Sequence, residues 1–522
     1  MQNEAHPCPH RLRTGVILLS TKLRRLVFNT ALLTVSGLVM RCIALLYQVW
    51  LAGRIGAAGI GLFQLVSSVQ FLAATFAISG VRFASTRLVS EELGSGRAGG
   101  VAHVVRLCLG YGGCFGLASL ALLLHFAEPI GFLWVGDART VLSLRLAAWS
   151  LPCVALSAVF SGYFAAVGRV WRAALAQLAE QLVRIALVTL LLRASPAEDV
   201  ERSCAAVVLG GVGAELFSFL FCLALYLDDR RRHGVSPAPC PHAPRRLLGV
   251  AVPLALSAYA RAALSTLQHL LVPRGLRASG LSADAALAGY GIIHGMVFPI
   301  VTFPACVLYS LAELLVPTLT ETQMHGEPEH ISAAVNRLLE NCLLFSLGTA
   351  ALLYANAQLL AQAVYGSAEA GGYIRLFALL VPVMYLDTVT DACLKGLGEQ
   401  LWSMGVNIAD SALSVVLVLL LLPRCALGGY LAILFGTEVF NFVLSLCRLR
   451  RITRLKPRMR VLPVGAMCAV GAAAFPALLL RPLAALPVKT LCALSVSAGA
   501  AVYLLLLRLS GEPELRLRRL RA

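Results

Sequence analysis

Long runs of apolar residues recur about every 30 positions along the chain, and short polar stretches separate them. Each run supplies the roughly 20 apolar residues that a helix needs to cross a bilayer. The pattern predicts an all-α integral membrane protein with about fourteen transmembrane helices, numbered here as spans 1 to 14. Their expected bounds are 26–51, 59–80, 101–125, 140–165, 171–193, 203–227, 247–272, 286–310, 338–360, 373–394, 402–422, 426–447, 462–480 and 488–508.

Composition supports this interpretation. The 522 residues are 59% hydrophobic and only 13% charged, whereas a soluble chain carries about 25% charged residues. The first 25 residues are polar and basic, and they lack the ordered regions of a cleavable signal peptide. We therefore expect span 1 to be retained as the insertion signal.

The net charge of +18 would suggest a nucleic-acid partner in a soluble protein, but here topology accounts for it. Basic residues cluster before span 1, between spans 6 and 7, between spans 12 and 13, and after span 14. An even number of spans separates these clusters, so all four lie on one side, which the positive-inside rule makes cytoplasmic. We expect a multi-pass protein of the bacterial cytoplasmic membrane with both termini inside, surrounded by lipid and without nucleic acid.

Residues of the first half recur 230 positions later in the second half. The matching pairs are Ala58-Gly59-Ile60-Gly61 with Ala288-Gly289-Tyr290-Gly291, Glu91 with Glu321, Arg145-Leu146 with Arg375-Leu376, Pro152 with Pro382, and Gly168 with Gly398. So many matches at one offset predict two copies of a six-helix unit, as in many transporters. Each copy begins on the cytoplasmic side, so the copies are parallel. The expected organisation is a basic tail 1–25, a first repeat 26–227, a linker 228–246, a second repeat 247–447, and a segment 448–522 with helices 13 and 14.

The offset is 220 rather than 230 in the first span of each copy. Arg54 then pairs with Arg274, and Arg41 pairs with Arg261. The outer loop contains the difference, because the stretch from Arg274 to Gly289 is ten residues longer than that from Arg54 to Gly59. This correction predicts that Arg41 and Arg261 lie at the same depth, near the middle of their helices.

Arg41 and Arg261 are the main candidates for substrate binding. A charge at the bilayer centre costs about 2.5–3.5 kcal/mol on insertion scales, so it faces a cavity or a partner. Guanidinium groups match phosphate oxygens and stay charged, which favours a clamp for an anionic, phosphate-bearing substrate. The alternative is an arginine paired with a structural carboxylate. Arg82, at the cytoplasmic end of span 2, is a third candidate and could gather a headgroup at the inner mouth, beside Arg87.

Several carboxylates are predicted at membrane depth. Glu180 and Arg184 have salt-bridge spacing on span 5. Glu215, alone in span 6, is either the partner of a cavity arginine or a proton-coupling carboxylate. Asp387 is the deepest member of a stripe on span 10 that continues to Asp391 and Lys395, and it is expected to line the cavity. Two polar pairs, on spans 11 and 12, fit either transport or hydrogen bonding between helices: Asn407 with Asp410, and Glu438 with Asn441. His269 and His294 are expected at the outer interface.

Four stretches of the chain resemble stage V sporulation protein B proteins of the multidrug/oligosaccharidyl-lipid/polysaccharide (MOP) exporter superfamily. They are 41–94, 161–185, 294–321 and 391–430, and the similarity extends over about residues 26–450. The resemblance implies a MATE/MOP-like fold. It also implies movement of an undecaprenyl-pyrophosphate-linked sugar to the outer leaflet, in peptidoglycan synthesis for the spore cortex. Lipid II flippases of this superfamily carry a functional arginine in the first span, and Arg41 lies at the matching place. They carry a second arginine in that span, and its place falls near Tyr47 in this sequence.

Three other functions compete with this hypothesis. A multidrug cation antiporter of the same superfamily would need membrane carboxylates, often one early in the chain, but span 1 has none. A membrane glycosyltransferase would need an Asp-rich metal site, for which only Asp228 and Asp229 are available. A non-transporting scaffold is the third. We expect a monomeric, non-enzymatic flippase without cofactor or metal, whose partners are a lipid-linked anionic glycan and cell-wall synthesis proteins. The sequence leaves the coupling ion open.

Overall fold

The computed structural model describes residues 9–95, 98–194, 199–233, 243–309, 311, 319, 328–455, 461–479 and 486–510, with side chains from Ser36 onward. Within these ranges the chain forms sixteen α-helices and two π-helical segments, and no strand. The first copy contains α1 (Pro9–Ile78), α2 (Val81–Gly94), α3 (Ala98–Pro129), the π-helix Ile130–Val135, α4 (Thr140–Ala148), α5 (Leu151–Ala166), α6 (Val170–Ala194) and α7 (Val200–His233).

The second copy is helical as well. It contains α8 (Ala243–Ala278), α9 (Ala283–Gly291), the π-helix Ile292–Val297, α10 (Phe298–Thr302), α11 (Pro328–Tyr365), α12 (Ala368–Ala378), α13 (Val381–Gly396) and α14 (Gln400–Thr453). Two further helices follow, α15 (Val461–Leu479) and α16 (Val488–Leu509).

Helix α1 contains spans 1 and 2, which fold back on each other at Gly56. Gly56 has φ 70° and ψ 177°, a conformation outside the helical region that glycine adopts without steric cost. Gln48 donates a hydrogen bond to the carbonyl of Gly295 at 3.4 Å, and the side chain of Ile60 also packs on Gly295. In a straight helix Gln48 and Ile60 would be about 18 Å apart. Their shared neighbour therefore shows that the chain reverses between them.

Helix α14 contains spans 11 and 12 and folds back in the same way at Ala426. Ala426 has φ 47° and ψ −135°, and Pro423 precedes it. The Asn441 side chain donates a hydrogen bond to that of Asn407 at 3.2 Å. These residues would be about 50 Å apart in a straight helix, so the two spans are antiparallel. The predicted hydrogen bonding between spans 11 and 12 is confirmed.

The two copies share the same backbone irregularities at the predicted offset. Span 4 is bent by 44° between α4 and α5, and span 10 is bent by 56° between α12 and α13. Pro152 and Pro382 occupy the first turn of the helix after each bend. Two pairs of glycines have positive φ at equivalent places: Gly136 with Gly366, and Gly168 with Gly398. The repeat that the sequence predicts is therefore present in the three-dimensional structure.

Among the described residues, nine helices are long and apolar enough to cross a membrane, or eleven if each bent pair is one span. Two of these nine helices fold back at Gly56 and Ala426, and α15 adds a shorter apolar segment. The expectation of about fourteen spans agrees with this architecture, and the all-helical membrane fold is confirmed.

The two copies contact each other through spans 1 and 2 on one side and spans 7 and 8 on the other, a surface we call the seam. The main hydrophobic core lies along it and includes the fully buried Leu51, Ile60 and Tyr290. The seam is tightest where the repeated motif meets itself. A methyl group on Gly291 would lie 2.7 Å from the amide nitrogen of Gly61, so only glycine fits this close approach.

Candidate functional site

Arg41 lies on span 1, at the seam, and within the described ranges it forms no ion pair with a carboxylate. Its guanidinium stacks over the ring of Tyr309, 4.5 Å from the ring centroid. The Nη1 atom is buried and makes no hydrogen bond with any described residue. A buried donor without a partner costs free energy, and no contact among the described residues offsets that cost for this nitrogen. Sequence reasoning missed Tyr309.

Arg261 and Arg82 lie on opposite sides of one contact across the seam. The hydroxyl groups of Tyr259 and Ser79 are 2.6 Å apart. Arg261 follows Tyr259 by two residues on α8, and Arg82 follows Ser79 by three on α2. Both arginine side chains are exposed and form no ion pair within the described ranges. Both predicted residues therefore lie within three residues of this contact along the chain.

Glu180, Arg184 and Glu215 form one polar cluster inside the first copy. Arg184 Nη2 contacts Glu180 at 2.6 Å and Glu215 at 3.0 Å. The side chains of Glu180 and Glu215 are only 19% and 20% exposed. The predicted ion pair on span 5 is present, and Glu215 is the partner of an arginine, one of its two predicted roles. Arg184 also acts electrostatically on Tyr47 of span 1.

The second copy holds acidic side chains where the first holds this mixed cluster. Asp387 and Asp410 each have a buried Oδ1 atom without a hydrogen-bond partner in the described chain. Asp410 and Glu438 are close enough to act electrostatically on Asp387. Asp391 contacts Lys395 and Ser403. The cluster of the first copy therefore combines one arginine with two carboxylates, whereas the second copy has two carboxylates with a buried oxygen that lacks a partner in the described chain.

His269 and His294, which are predicted at the outer interface, contact each other and two tyrosines. The hydroxyl of Tyr290 is 2.9 Å from His269 Nδ1, and His294 Nε2 is paired with the hydroxyl of Tyr430. The two imidazole rings are 5.1 Å apart. His294 lies in the π-helix Ile292–Val297. No helical periodicity predicts such a local change of winding.

At one end of each copy, ion pairs of opposite polarity occupy equivalent places. In the first copy, Arg169 and Arg172 bind Asp229, which also accepts a hydrogen bond from Tyr163 at 2.6 Å. In the second copy, Glu399, which the repeat aligns with Arg169, binds Arg448 at 2.9 Å. These pairs join the last two spans of each copy. Asp229 is thus part of a structural network rather than a metal ligand.

Near the outer loops, the copies are joined by ionic contacts and hydrogen bonds. Arg139 binds Asp137 at 2.8 Å and Asp284 of the second copy at 2.9 Å. Arg277 donates hydrogen bonds to the carbonyls of Val135 and Gly136, both at 2.6 Å. Burial acts to raise the pKa of Asp137, but hydrogen bonds from Arg139 outweigh it and lower that pKa.

At the opposite end of the seam, Arg246 at the start of α8 binds Glu92 at 2.9 Å and also contacts Glu91. Both ends of the seam are therefore held by ion pairs in this conformation. Glu91 also pairs with Arg87 at 3.0 Å, which makes Arg87 a helix-end charge with its own partner. In the described parts of the chain, no group of three or more His, Cys, Asp or Glu side chains is arranged to hold a metal ion.

Comparison with known proteins agrees with this architecture. Stage V sporulation protein B of Bacillus subtilis (strain 168) is 25% identical over 405 residues, which cover 77% of this chain and 78% of that protein. Sporulation protein YkvU of the same organism is 22% identical over 386 residues, covering 72% and 83% of the two chains.

Among solved structures, the lipid II flippase MurJ in an inward closed conformation superimposes with a TM-score of 0.72 at 12% identity. The match covers 93% of this chain and 100% of that one. An inward-facing MATE multidrug transporter of the MOP superfamily gives 0.60 at 15% identity, covering 82% and 98%. At these identities the likeness shows the fold alone. The polysaccharide biosynthesis protein family matches residues 26–323, more than half of the chain, and the protein is therefore a multi-pass membrane protein of that family with the MOP transporter fold.

Proposed function

We propose that this protein is a flippase that moves an undecaprenyl-pyrophosphate-linked oligosaccharide, a lipid II-like peptidoglycan precursor for the spore cortex, across the cytoplasmic membrane by alternating access. The relatives named above support the class of substrate, since both are sporulation proteins and one structural neighbour is a lipid II flippase. The protein acts on its lipid-linked substrate in the bacterial cytoplasmic membrane, as a monomer with both termini inside. Cell-wall synthesis proteins are the expected partners.

The observation that carries the proposal is the guanidinium of Arg41 at the predicted membrane depth, which pairs with no carboxylate among the described residues. A buried charge without a carboxylate is costly, and an anionic ligand removes that cost. A diphosphate offers the oxygen pairs that a guanidinium binds bidentately. Tyr309 holds the guanidinium in place by stacking. Arg41 is therefore the residue that we expect to contact the pyrophosphate.

Arg82 and Arg261 provide a second basic region of the seam, beside the contact between Ser79 and Tyr259. Their exposed side chains can meet an anionic headgroup before it reaches Arg41. The ion pairs of Arg246 with Glu92 and of Arg139 with Asp284 would then open in alternation. This rocking of two copies about a fixed central site is typical of repeat-built transporters.

The acidic side of the cavity favours one alternative, a multidrug cation antiporter. Asp387 and Asp410 have buried oxygens without a partner in the described chain. These oxygens could bind an organic cation in an antiporter, or a coupling ion in either kind of transporter. In the flippase, Asp387, together with Glu215 or Glu180, would be a coupling carboxylate. The two functions differ in their dependence on Arg41. Cation efflux by an antiporter should be lost in Asp387→Asn and persist in Arg41→Ala, whereas lipid flipping should be lost in Arg41→Ala.

A leaflet-accessibility assay tests the flippase directly. Cells that depend on this protein are labelled with a membrane-impermeant reagent that reacts only with lipid-linked precursor in the outer leaflet. We expect Arg41→Ala and Arg261→Ala each to abolish labelling, while Arg424→Ala, at an exposed position on span 11, leaves it unchanged. Immunoblots of the membrane fraction confirm equal insertion. Normal labelling in both variants, or efflux of organic cations that survives Arg41→Ala, would exclude the proposal.

A further inference from the structure

A small polar cavity of about 180 Å³ lies between spans 2, 7 and 8 on the seam. Gln64 and Ser67 line it from span 2, Ser265 and His269 from span 7, and Tyr290 from span 8. Phe71 closes its inner end with a ring that is 58% exposed. Arg41 precedes the Gly56 turn by fifteen residues and Phe71 follows it by fifteen. Both are about 22 Å from the turn along their helices, so the cavity begins at the depth of Arg41.

The polar side chains of this cavity depart from the internal repeat. Ser67 and Ser68 of span 2 align with Val297 and Phe298 of span 8 at the offset of 230. At the offset of 220, Ser265, Thr266 and His269 of span 7 align with Leu45, Leu46 and Val49 of span 1. Polar residues at membrane depth cost free energy. Among the cavity's polar residues on spans 2 and 7, Gln64 alone aligns with a polar residue, His294. The concentration of the other polar residues in one cavity, where the repeat has apolar ones, therefore points to a ligand.

Hydrogen-bonding groups in the cavity are available to that ligand. Thr266 donates to the carbonyl of Ser68 at 2.8 Å and joins the two walls. Tyr290 and His269 bind each other at 2.9 Å, which leaves the second nitrogen of the imidazole. The side chains of Gln64, Ser67 and Ser265 make no hydrogen bond inside the described ranges. They supply one amide and two hydroxyl groups, each able to donate and accept.

No Asp, Glu, Lys or Arg lines the cavity, so its chemistry differs from that of the guanidinium at Arg41. Hydroxyl and amide groups around a small volume, with an aromatic ring at one end, match a neutral sugar: ring hydroxyls and an acetamido group hydrogen-bond, and an apolar ring face packs on Phe71. Along span 2, the wall of the cavity from Phe71 to Gln64 is about 10 Å long.

We propose that this cavity is a saccharide subsite, which binds the neutral sugar of the lipid-linked substrate while Arg41 binds the diphosphate. The inference rests on the proposed function, because it assumes a glycan attached to a diphosphate. The two sites then have separate roles. Arg41 contributes affinity for any polyprenyl diphosphate, and the cavity selects lipids that carry a sugar.

Binding by the purified protein in nanodiscs tests the subsite with two probes, undecaprenyl diphosphate and the same lipid bearing an N-acetylated disaccharide. Gln64→Leu keeps the size of the side chain and removes its amide, and Ser265→Ala removes one hydroxyl. We expect each to weaken binding of the glycosylated probe about 3- to 10-fold, as for the loss of one or two hydrogen bonds, and to leave binding of the bare diphosphate unchanged. Ser257→Ala is the matched control, because the Ser257 hydroxyl bonds only its own helix, at Leu254.

Each outcome decides between the subsite and its alternatives. Unchanged binding of both probes in Gln64→Leu and Ser265→Ala would overturn the subsite. An equal loss for both probes would also overturn it, since the cavity would then support the fold or the diphosphate. Thermal unfolding of each variant separates these two causes. Failure of the unmodified protein to bind either probe would instead reject the proposed function, and the subsite with it.

Discussion

Gly61 and Gly291, the same position in the two copies of the repeat, pack backbone to backbone across the seam. A methyl group on Gly61 would overlap the carbonyl oxygen of Leu287, and one on Gly291 would overlap that of Ala57. The close approach is therefore mutual, and it lies only five residues after the Gly56 turn.

Gly291→Ala should separate the copies at this point. Overpacking of this kind costs about 1–3 kcal/mol, so we expect a lower melting temperature. We also expect the cavity beside Ser67 to become more accessible to reagents added outside the cell. Reaction of a cysteine introduced at Ser67 with an impermeant maleimide measures the accessibility. Gly53→Ala is the control, because nothing lies within 4 Å of a methyl group there. Equal reactivity in both variants would show that this contact does not close the seam.

Arg41→Lys should lose most transport although it keeps the charge. Lysine cannot bind a diphosphate bidentately and does not stack in the same way over Tyr309. We expect a loss of at least about 10-fold in outer-leaflet labelling, equivalent to about 1.4 kcal/mol. Tyr309→Leu should give part of the same loss, since the guanidinium then loses its stacking partner. Full activity of Arg41→Lys would mean that only charge matters at this position.

Arg184→Met should destabilise the first copy by about 1–3 kcal/mol, because it leaves Glu180 and Glu215 without their shared donor. Thermal unfolding in detergent measures the effect. Adding Glu180→Gln and Glu215→Gln to Arg184→Met removes both charges and should restore part of the stability. If Glu215→Gln alone changes the pH dependence of transport without changing stability, Glu215 has a coupling role in addition to its structural one.

The contact of Asp137 with Arg139 should make the outer ends of the copies sensitive to acid. The pKa of Asp137 is lowered in the folded protein. Its stabilising contribution is therefore complete above the unfolded pKa of about 4 and is lost as the pH falls through the folded value. We expect the melting temperature to fall more steeply below pH about 4 in the unmodified protein than in Asp137→Asn. Parallel curves for the two proteins would exclude this contribution.

The Glu399–Arg448 pair should tolerate reversal. The first copy uses the opposite polarity at the equivalent place, with Arg169 bound to Asp229. Glu399→Arg and Arg448→Glu should each lower the melting temperature, because each places like charges together. The double variant should recover much of the loss. No recovery would show that Trp402, which packs on the Arg448 guanidinium at 5.0 Å, fixes the orientation of the pair.

Local rules were sufficient to predict the membrane fold from the sequence. Apolar runs of bilayer length specify spans, and a repeated motif specifies a repeated structure. The offset of 230 even predicts which glycines share a positive φ, as Gly168 and Gly398 do. It also aligns Pro152 with Pro382, and each proline follows a bend of its span. The i, i+4 ion pair between Glu180 and Arg184 depends only on helical spacing and was predicted correctly.

Tertiary structure decided what each polar residue contacts. Sequence could place Arg41 at membrane depth, but only packing decides that its neighbour is the ring of Tyr309 rather than a carboxylate. The sequence placed Glu215 in span 6 without deciding between its two roles. The fold brings Arg184 into contact with Glu215. The sequence predicts His294 at the interface, and the fold adds that its ring pairs with the hydroxyl of Tyr430. Periodicity fixes depth along one helix, whereas a side chain's partner depends on helices that are distant in sequence.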